Sequence, residues 1–390
     1  MPSTVTFFPV GNGDMTLIKL SDKTKILIDI NLRDIAEDEQ DPSCDVIAEL
    51  RGKLEKDSAG RPYVDAFLLS HPDQDHCRGL KKYFHLGPLA DYNAKPPEGE
   101  ELKIVIQEMW SSPMVFRRAS KNNPLCEDAK AFNSEARRRV RLFKDKRSAL
   151  DGDRIIIIGE DENGKTDGLD AILAQVDDVF DRINGKKSDQ VSLRVLAPLP
   201  AQDDSEEEQL GKNHSSIILQ ISFTVDGQEN SCLFLTGGDA EVYIWEKMWG
   251  RKKDRLSDIE YDLLLNPHHC SWHSLSYDSW SEDEDPKVNQ DAKSALSQCK
   301  VGALVVSSSK PIKDDENDPP CWGAKQEYLD ILKPARGTFY CTGEFPSEKN
   351  PEPLVFVATK DGFQPPSKKS ASLAGAAVIR NSTREEKGHG

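Results

Sequence analysis

What most restricts the fold of this chain of 390 residues is where its short apolar runs fall. TVTFFPV (4–10), MTLIKL (15–20), KILIDI (25–30) and AFLLS (66–70) form one set. VSLRVLAPL (191–199), SIILQISF (216–223), SCLFLT (231–236), YDLLLN (261–266) and ALVVSSS (303–309) form a second, followed by TFYCT and LVFVAT. Each is short, rich in β-branched residues and bounded by turn-forming residues, which is the signature of buried strands. Helical periodicity is sparser: 45–56, CRGLKKYF, a basic stretch at 135–147, a segment near Ala171–Ile183, the segment after Gly238, and Ala324–Leu332. The pattern predicts an α/β fold in which two sheets pack face to face with helices outside. The middle, about 90–190, is less regular but holds IVIQEMW (104–110) and IIIIGED (155–161), and reads as an enlarged insertion. Residues 201–214 read as an acidic loop, 1–361 as one domain, and 362–390, rich in Ser, Lys, Gly and Ala, as a mobile tail.

Composition narrows the class. At 37% hydrophobic and 30% charged, the chain is built like a globular protein. No apolar run approaches the ~20 residues of a membrane span, and Met1–Leu20 lacks the order of a signal peptide. The eight cysteines show no CxxC spacing, so reduced thiols, a cytoplasmic location and no membrane partner are expected. A net charge of -16 disfavours a whole-surface nucleic-acid binder. EARRRVRLFKDKR (135–147) is the local exception, with seven Arg or Lys. It is either a phosphate-tracking stripe or a solvated helix face.

The histidines point to chemistry. Six of the eight lie beside strand ends: His71 and His76 in HPDQDH, His214 before SSIIL, His268 and His269 after LLLNP, and His273 just beyond. Residues 86–213 contain none. In HPDQDH, alternation along the chain directs His71 and Asp73 toward one cation, and the following turn directs Asp75 and His76 toward another. Further ligands would come from His214, Asp239 and His268 or His269. Asp239 follows Gly237 and Gly238, where backbone can approach closely, and is the candidate bridge between two cations.

These motifs resemble a known family. HPDQDH is similar to the HxHxDH signature of the metallo-β-lactamase fold, with aspartate in its second ligand position. VGNGD (10–14), ILID (26–29), NHSSIIL with LFLTGGDAE, and NPHHCSWHS resemble the hydrolase domain of the DNA-uptake protein ComEC and its stand-alone relatives. The matches run in order from residue 5 to about 275. The resemblance implies a four-layer αββα sandwich with a two-metal site on its edge. It implies His71, Asp73, Asp75, His76, Asp239 and His268 as ligands, Asp239 bridging, and Asp75 orienting a bridging hydroxide. His214 is either a further ligand or a support for one. HHCS in place of HHGS, TGGD in place of TGD, and no histidine in DPPCWGAK (318–325) depart from the pattern.

The implied activity is metal-dependent phosphodiester hydrolysis, with nucleic acid as substrate and a role in DNA processing or anti-phage defence. A cyclic nucleotide or other small phosphodiester is the alternative substrate, and a non-catalytic, metal-stabilised adaptor the alternative role. The cofactors would be two divalent ions, Mn²⁺ or Zn²⁺. Because Asp73 replaces an imidazole with a harder carboxylate, higher activity with Mn²⁺ is expected. Asp14 reads as part of a hairpin turn or a support of the site, and Asp29 as a turn cap or a residue near the metals. His269, Ser271, His273 and Ser274 read as substrate contacts or loop caps. Trp272 could stack on a base, while Trp245 and Trp249 read as core. GEDENGKT (159–166) fits the P-loop pattern, but its carboxylates would crowd a phosphate, so it reads as an acidic turn. The 90–190 insertion is a possible surface for a protein partner.

Overall fold

The computed structural model describes residues 1–33, 44–119, 124–147 and 149–366. The first sheet is built from β1 (Thr4–Phe7), β2 (Thr16–Lys19), β3 (Lys25–Ile28), β4 (Pro62–Leu68), β5 (Ile104–Ser111) and β6 (Arg154–Ile158). The second contains β7 (Val191–Ala197), β8 (Ile218–Val225), β9 (Gln228–Leu235), β10 (Tyr261–Leu265), β11 (Cys299–Ser307) and β12 (Thr338–Cys341). The chain then returns to the first sheet with β13 (Leu354–Thr359) and β14 (Gly362–Gln364). The first sheet runs in the order β6-β5-β4-β3-β2-β1-β13-β14, and the second from β7 to β12 in sequence order. β3, β4, β5 and β6 are parallel neighbours, as are β9, β10, β11 and β12.

The apolar residues sort into three layers of core, and so into four layers of structure. Between the sheets lie Phe7, Ile18, Ile26, Ile28 and Leu68 from the first sheet and Leu219, Phe223, Phe234, Leu263 and Val306 from the second. Phe7 and Phe234 meet edge to face at 5.7 Å. Leu27, one residue from Ile26 and Ile28, falls in the outer layer instead, as the period of two in a strand requires. That outer layer packs against α1 (Val46–Lys53) and a long helix, Glu127–Lys146. On the far side, Val242–Lys252, Gln290–Leu296 and Trp322–Ala335 cover the second sheet, with Trp245 and Tyr328 fully buried. The αββα sandwich expected from sequence is the architecture observed.

Several local expectations are corrected. Ala171–Ile183 is not a helix. Leu173–Ala174 pairs with β6 and Val179–Phe180 with β7, so its backbone groups are taken by two sheet edges. The acidic loop contains a helix, Asp204–Gln209, capped by Asp203. The chain is still ordered past 361, because β14 pairs with β13; the rest of the expected tail, 367–390, lies outside the described residues. The strand-like IVIQEMW and IIIIGED of the insertion are strands as expected, and as β5 and β6 they extend the first sheet. In the basic helix Arg139 is buried, pairs with Glu135 at 2.7 Å and donates to the Ile106 carbonyl at 3.0 Å. GEDENGKT forms turns and leads into a single 3-10 turn at Asp170–Ile172 rather than an α-helix, while Asp161 is held by Arg117 at 2.8 Å.

Candidate metal centre

Parallel strands deliver their carboxyl ends to one edge of the sandwich, and the polar clusters follow those ends. β3 is followed by Asp29, β4 by Ser70 and His71, β9 by Asp239, β10 by His268 and His269, and β11 by Ser308. Asp14 arrives from the turn before β2. That turn lies flat against the HPDQDH segment: Gly13 has φ +146, and a Cβ there would sit 2.6 Å from the Asp75 carbonyl oxygen and 2.3 Å from Asn31 Nδ2. GNGD is therefore not a free hairpin tip. It is a wedge that carries Asp14 inward, where Asp14 is buried.

Asp14, His76, Asp239 and His269 form a buried group that could hold a metal ion, each offering one ligand atom within 4.8 Å of the others. Asp239 stands in the middle. Its Oδ1 lies 3.1 Å from His76 Nε2 and 3.5 Å from His269 Nε2. Its Oδ2 lies 3.3 Å from His71 Nε2 and 3.8 Å from His268 Nε2. Donors around a cation at ~2.1 Å stand roughly 3–3.6 Å apart, so both sides of this carboxylate have the spacing of a ligand set. His76 Nε2 and His269 Nε2 face each other at 3.3 Å, and Asp75 Oδ2 is 3.5 Å from His269 Nε2. Asp73 Oδ2 is 3.9 Å from His71 Nε2.

Chemistry supports a cation here. Asp14 Oδ1, Asp239 Oδ1 and His71 Nε2 are buried and have no hydrogen-bond partner among the described residues. Buried polar atoms normally have one, so these donors fit a missing positive charge. The far nitrogens are already engaged. His76 Nδ1 is 2.8 Å from Asp29 Oδ2, and Asp29 also accepts from the Ser70 hydroxyl at 2.5 Å and amide at 2.7 Å. His269 Nδ1 is 3.1 Å from the Ser308 carbonyl. Such contacts aim the opposite nitrogen into the centre.

With no cation, the carboxylates and rings perturb one another. Burial would raise the Asp239 carboxyl, but His76, His269, His71 and His268 together hold it well below its usual range. Asp75 shifts down too: burial would raise it, but its hydrogen bond to His269 and the nearby His76 and His269 rings together outweigh burial. Burial would lower His269, yet Asp239 and Asp14 push it up to about 10. Burial is likewise overcome at His76, raised well above its usual value by Asp239 and Asp29.

The structure also distinguishes residues that the sequence left together. Of the adjacent pair, His269 enters the four-residue group, while His268 reaches only the other side of Asp239. The cause is backbone: His268, His269 and Cys270 all adopt left-handed conformations, with φ of 52°, 53° and 69°. Consecutive non-glycine residues rarely do so. Cys270 accepts that conformation while burying its thiol in the core under the second sheet, which accounts for a side chain where the motif has glycine. His214 is not brought into the group. Its Nδ1 accepts from the Gly211 amide at 3.1 Å and its Nε2 is 3.5 Å from Glu241. From the same segment it is Ser216 that meets the Asp239 loop, accepting from the Asp239 amide at 3.0 Å. Gly238, with φ +49, has no room for a Cβ against Ser216, which explains the extra glycine.

Ser271 caps the turn at His273, and Ser274 donates to the Pro267 carbonyl at 3.2 Å, so both brace the loop. His273 is half-exposed and 3.9 Å from Asp318 of the DPP segment. Trp272 is buried, as is Trp245, and Trp249 packs on the same core, so no base-stacking face is offered by them. Asp14, His269 and Lys212 were underrated by sequence reasoning. Lys212 ion-pairs with Asp73 at the mouth of the centre. The GKNHSS context draws attention to His214, and nothing in it singles out the lysine two residues earlier.

No protein-family model matches the chain. No curated protein matches it either. Among solved structures, the chain is similar to an isothiocyanate hydrolase from Delia radicum gut bacteria, at 11% identity and a TM-score of 0.38 over 91% of this chain and 100% of that one. It is similar to unliganded yeast PDE1, at 11% identity and a TM-score of 0.40 over 87% and 98%. A possible metal-dependent hydrolase from Veillonella parvula matches at 8% identity and a TM-score of 0.34 over 87% and 96%. Overlap this loose decides nothing about chemistry. Among the described residues, no helix is long and apolar enough to cross a membrane.

Proposed function

We propose that this chain is a metal-dependent hydrolase of phosphodiesters, with nucleic acid as its first candidate substrate. One observation carries the reading: the buried Asp239 carboxylate turns one oxygen to His76 and His269 and the other to His71 and His268, with buried donor atoms left unpaired around it. A divalent ion held there would lower the pKa of water and polarise a phosphoryl oxygen. Asp239, His76, His269 and Asp14 would hold it, with Asp75 beside His269. Asp29 and Ser70 keep the His76 ring in place, and the Ser308 carbonyl does the same for His269. Asp75, about one-third exposed, is the carboxylate placed to accept a proton from an incoming water. The abundance of carboxylates supports a preference for Mn²⁺ over Zn²⁺.

Phosphodiester rather than acyl chemistry is supported by the resemblance of the motifs to the ComEC hydrolase domain. A second reading, a cyclic nucleotide or other small phosphodiester, is favoured by the basic helix. Arg138 and Arg139 are spent on Glu135 rather than offered to a long polyanion. The cleft beside that helix, about 660 Å³ and lined by Phe116, Val140, Arg137 and Arg141, is where a protein partner would find the insertion. The test is a panel of single-stranded DNA, duplex DNA, RNA and cyclic nucleotides with Mn²⁺, beside an Asp75→Ala control. Mn²⁺-dependent cleavage lost in the control is expected. Cleavage that survives in it would remove this site from the reaction, and a protein that holds the ion yet cleaves none of these substrates would be the metal-stabilised adaptor instead.

A further inference from the structure

The two sides of Asp239 are not equivalent. On the His76–His269 side lies the four-residue group of Asp14, His76, Asp239 and His269. On the His71–His268 side, Lys212 reaches in from the Gly211–Ser215 turn and pairs with Asp73 Oδ2, the same oxygen that lies 3.9 Å from His71 Nε2. We propose that Lys212 supplies the second positive charge of the centre in place of a metal, so that the protein binds one divalent ion, on the His76–His269 side. This rests on the metal-centre reading above.

The argument is one of charge and space. Of the two aspartates of HPDQDH, Asp73 is the one that lies 3.9 Å from His71, and the oxygen that faces His71 is the one the ammonium contacts. A divalent ion drawing on His71, Asp73 and Asp239 would share that oxygen with a cation already in contact with it, and like charges at that separation repel strongly. The His214 ring, which would otherwise complete a ligand set on this side, is turned to Gly211 and Glu241. Lysine and histidine thus leave the same short turn in different directions, and the lysine is the one that enters.

Metal content tests this without recourse to activity. Metal-free protein reloaded with Mn²⁺ and desalted should retain about one ion per chain, with the resolved hyperfine spectrum of an isolated Mn²⁺. Lys212→Met should retain about two, with the exchange-coupled spectrum of a pair, because His71, Asp73, Asp239 and His268 are then free to bind. Lys212→Arg, which keeps a charge in the same place, should stay at one. Lys212 is substantially solvent-exposed, so both variants should fold, and unchanged thermal melting of the metal-free forms checks this. Two ions in the unmodified protein would overturn the proposal and leave the metal centre standing. One ion in Lys212→Met would overturn it as well, since the lysine would not be what keeps the second ion out. No bound ion in any form would overturn the metal centre itself, and the proposal with it.

Discussion

Two groups of carboxylates in this molecule, one partly buried around Glu207 and one fully buried around Asp239, end in opposite states. Around Glu207, Arg118 donates to both carboxylate oxygens and Arg117 to one, closing the group on itself. Around Asp239 the neighbours are four imidazoles, and among the described residues buried atoms on both the rings and the carboxylates are left without partners. Guanidinium satisfies a carboxylate in fixed fork geometry. His76 Nε2 and His269 Nε2 face each other at 3.3 Å, and two protonated rings cannot satisfy one another there because neither nitrogen can accept. The first arrangement is finished by the chain alone, whereas the second is finished only by something that arrives.

Breaking the shared member of the open group should have the largest effect. Asp239→Asn should cost more than about 100-fold in Mn²⁺ affinity and turnover, because residues that merely support ligands are already worth about 10–100-fold. Titration of bound Mn²⁺ and steady-state rates check it. Asp29→Asn falls in that lower range, since it loosens His76 without touching the ion, and Mn²⁺ affinity should fall more than the melting temperature.

In the closed group the outcome should invert. Arg118→Met takes from Glu207 the partner that contacts both its oxygens, leaving Arg117, and should cost about 1–3 kcal/mol of stability in denaturant unfolding, while the Mn²⁺ content stays unchanged. A loss of metal in that variant would mean that the two groups are coupled.

The smallest effects are in pH, and they fall at opposite ends of the scale. Burial would raise Glu207, but Arg118 and Arg117 bring it from 4.5 down to about 2. Its stabilisation is therefore complete above 4.5 and is lost as the pH falls toward 2. His269 in the metal-free protein is held up at about 10, so below that value a proton must leave before a cation can use the ring. Mn²⁺ affinity should accordingly rise with pH between neutrality and about 10, as competition titrations would show.

How much of this was legible depends on what each residue needs. The strands were readable because Ile26, Leu27 and Ile28 are apolar on both faces, as a sheet covered on both sides demands. His71, His76 and Asp239 were readable because each follows such a strand. Choosing between His268 and His269 was not, since it depends on three left-handed residues that no glycine announces. Asp14 was hidden in a sequence that also makes an ordinary hairpin tip. Lys212 was hidden because a long side chain acts far from its own backbone. The segment 171–183 carries apolar residues at helical spacing, yet pairing with two sheet edges outweighed the local period.

The wedge at Gly13 has a consequence for the order of folding. Asp14 belongs to the first sheet and His269 to the second, and the Ser308 hydroxyl ties the two by donating to the Gly13 carbonyl at 2.6 Å across 295 positions of chain. Contacts so remote in sequence form after local ones, because the intervening chain must first be ordered. Neither sheet alone holds the four-residue group, so a nascent chain has no centre to load. Capture of a cation would be the last event of assembly, and would mark the moment at which the two halves have closed.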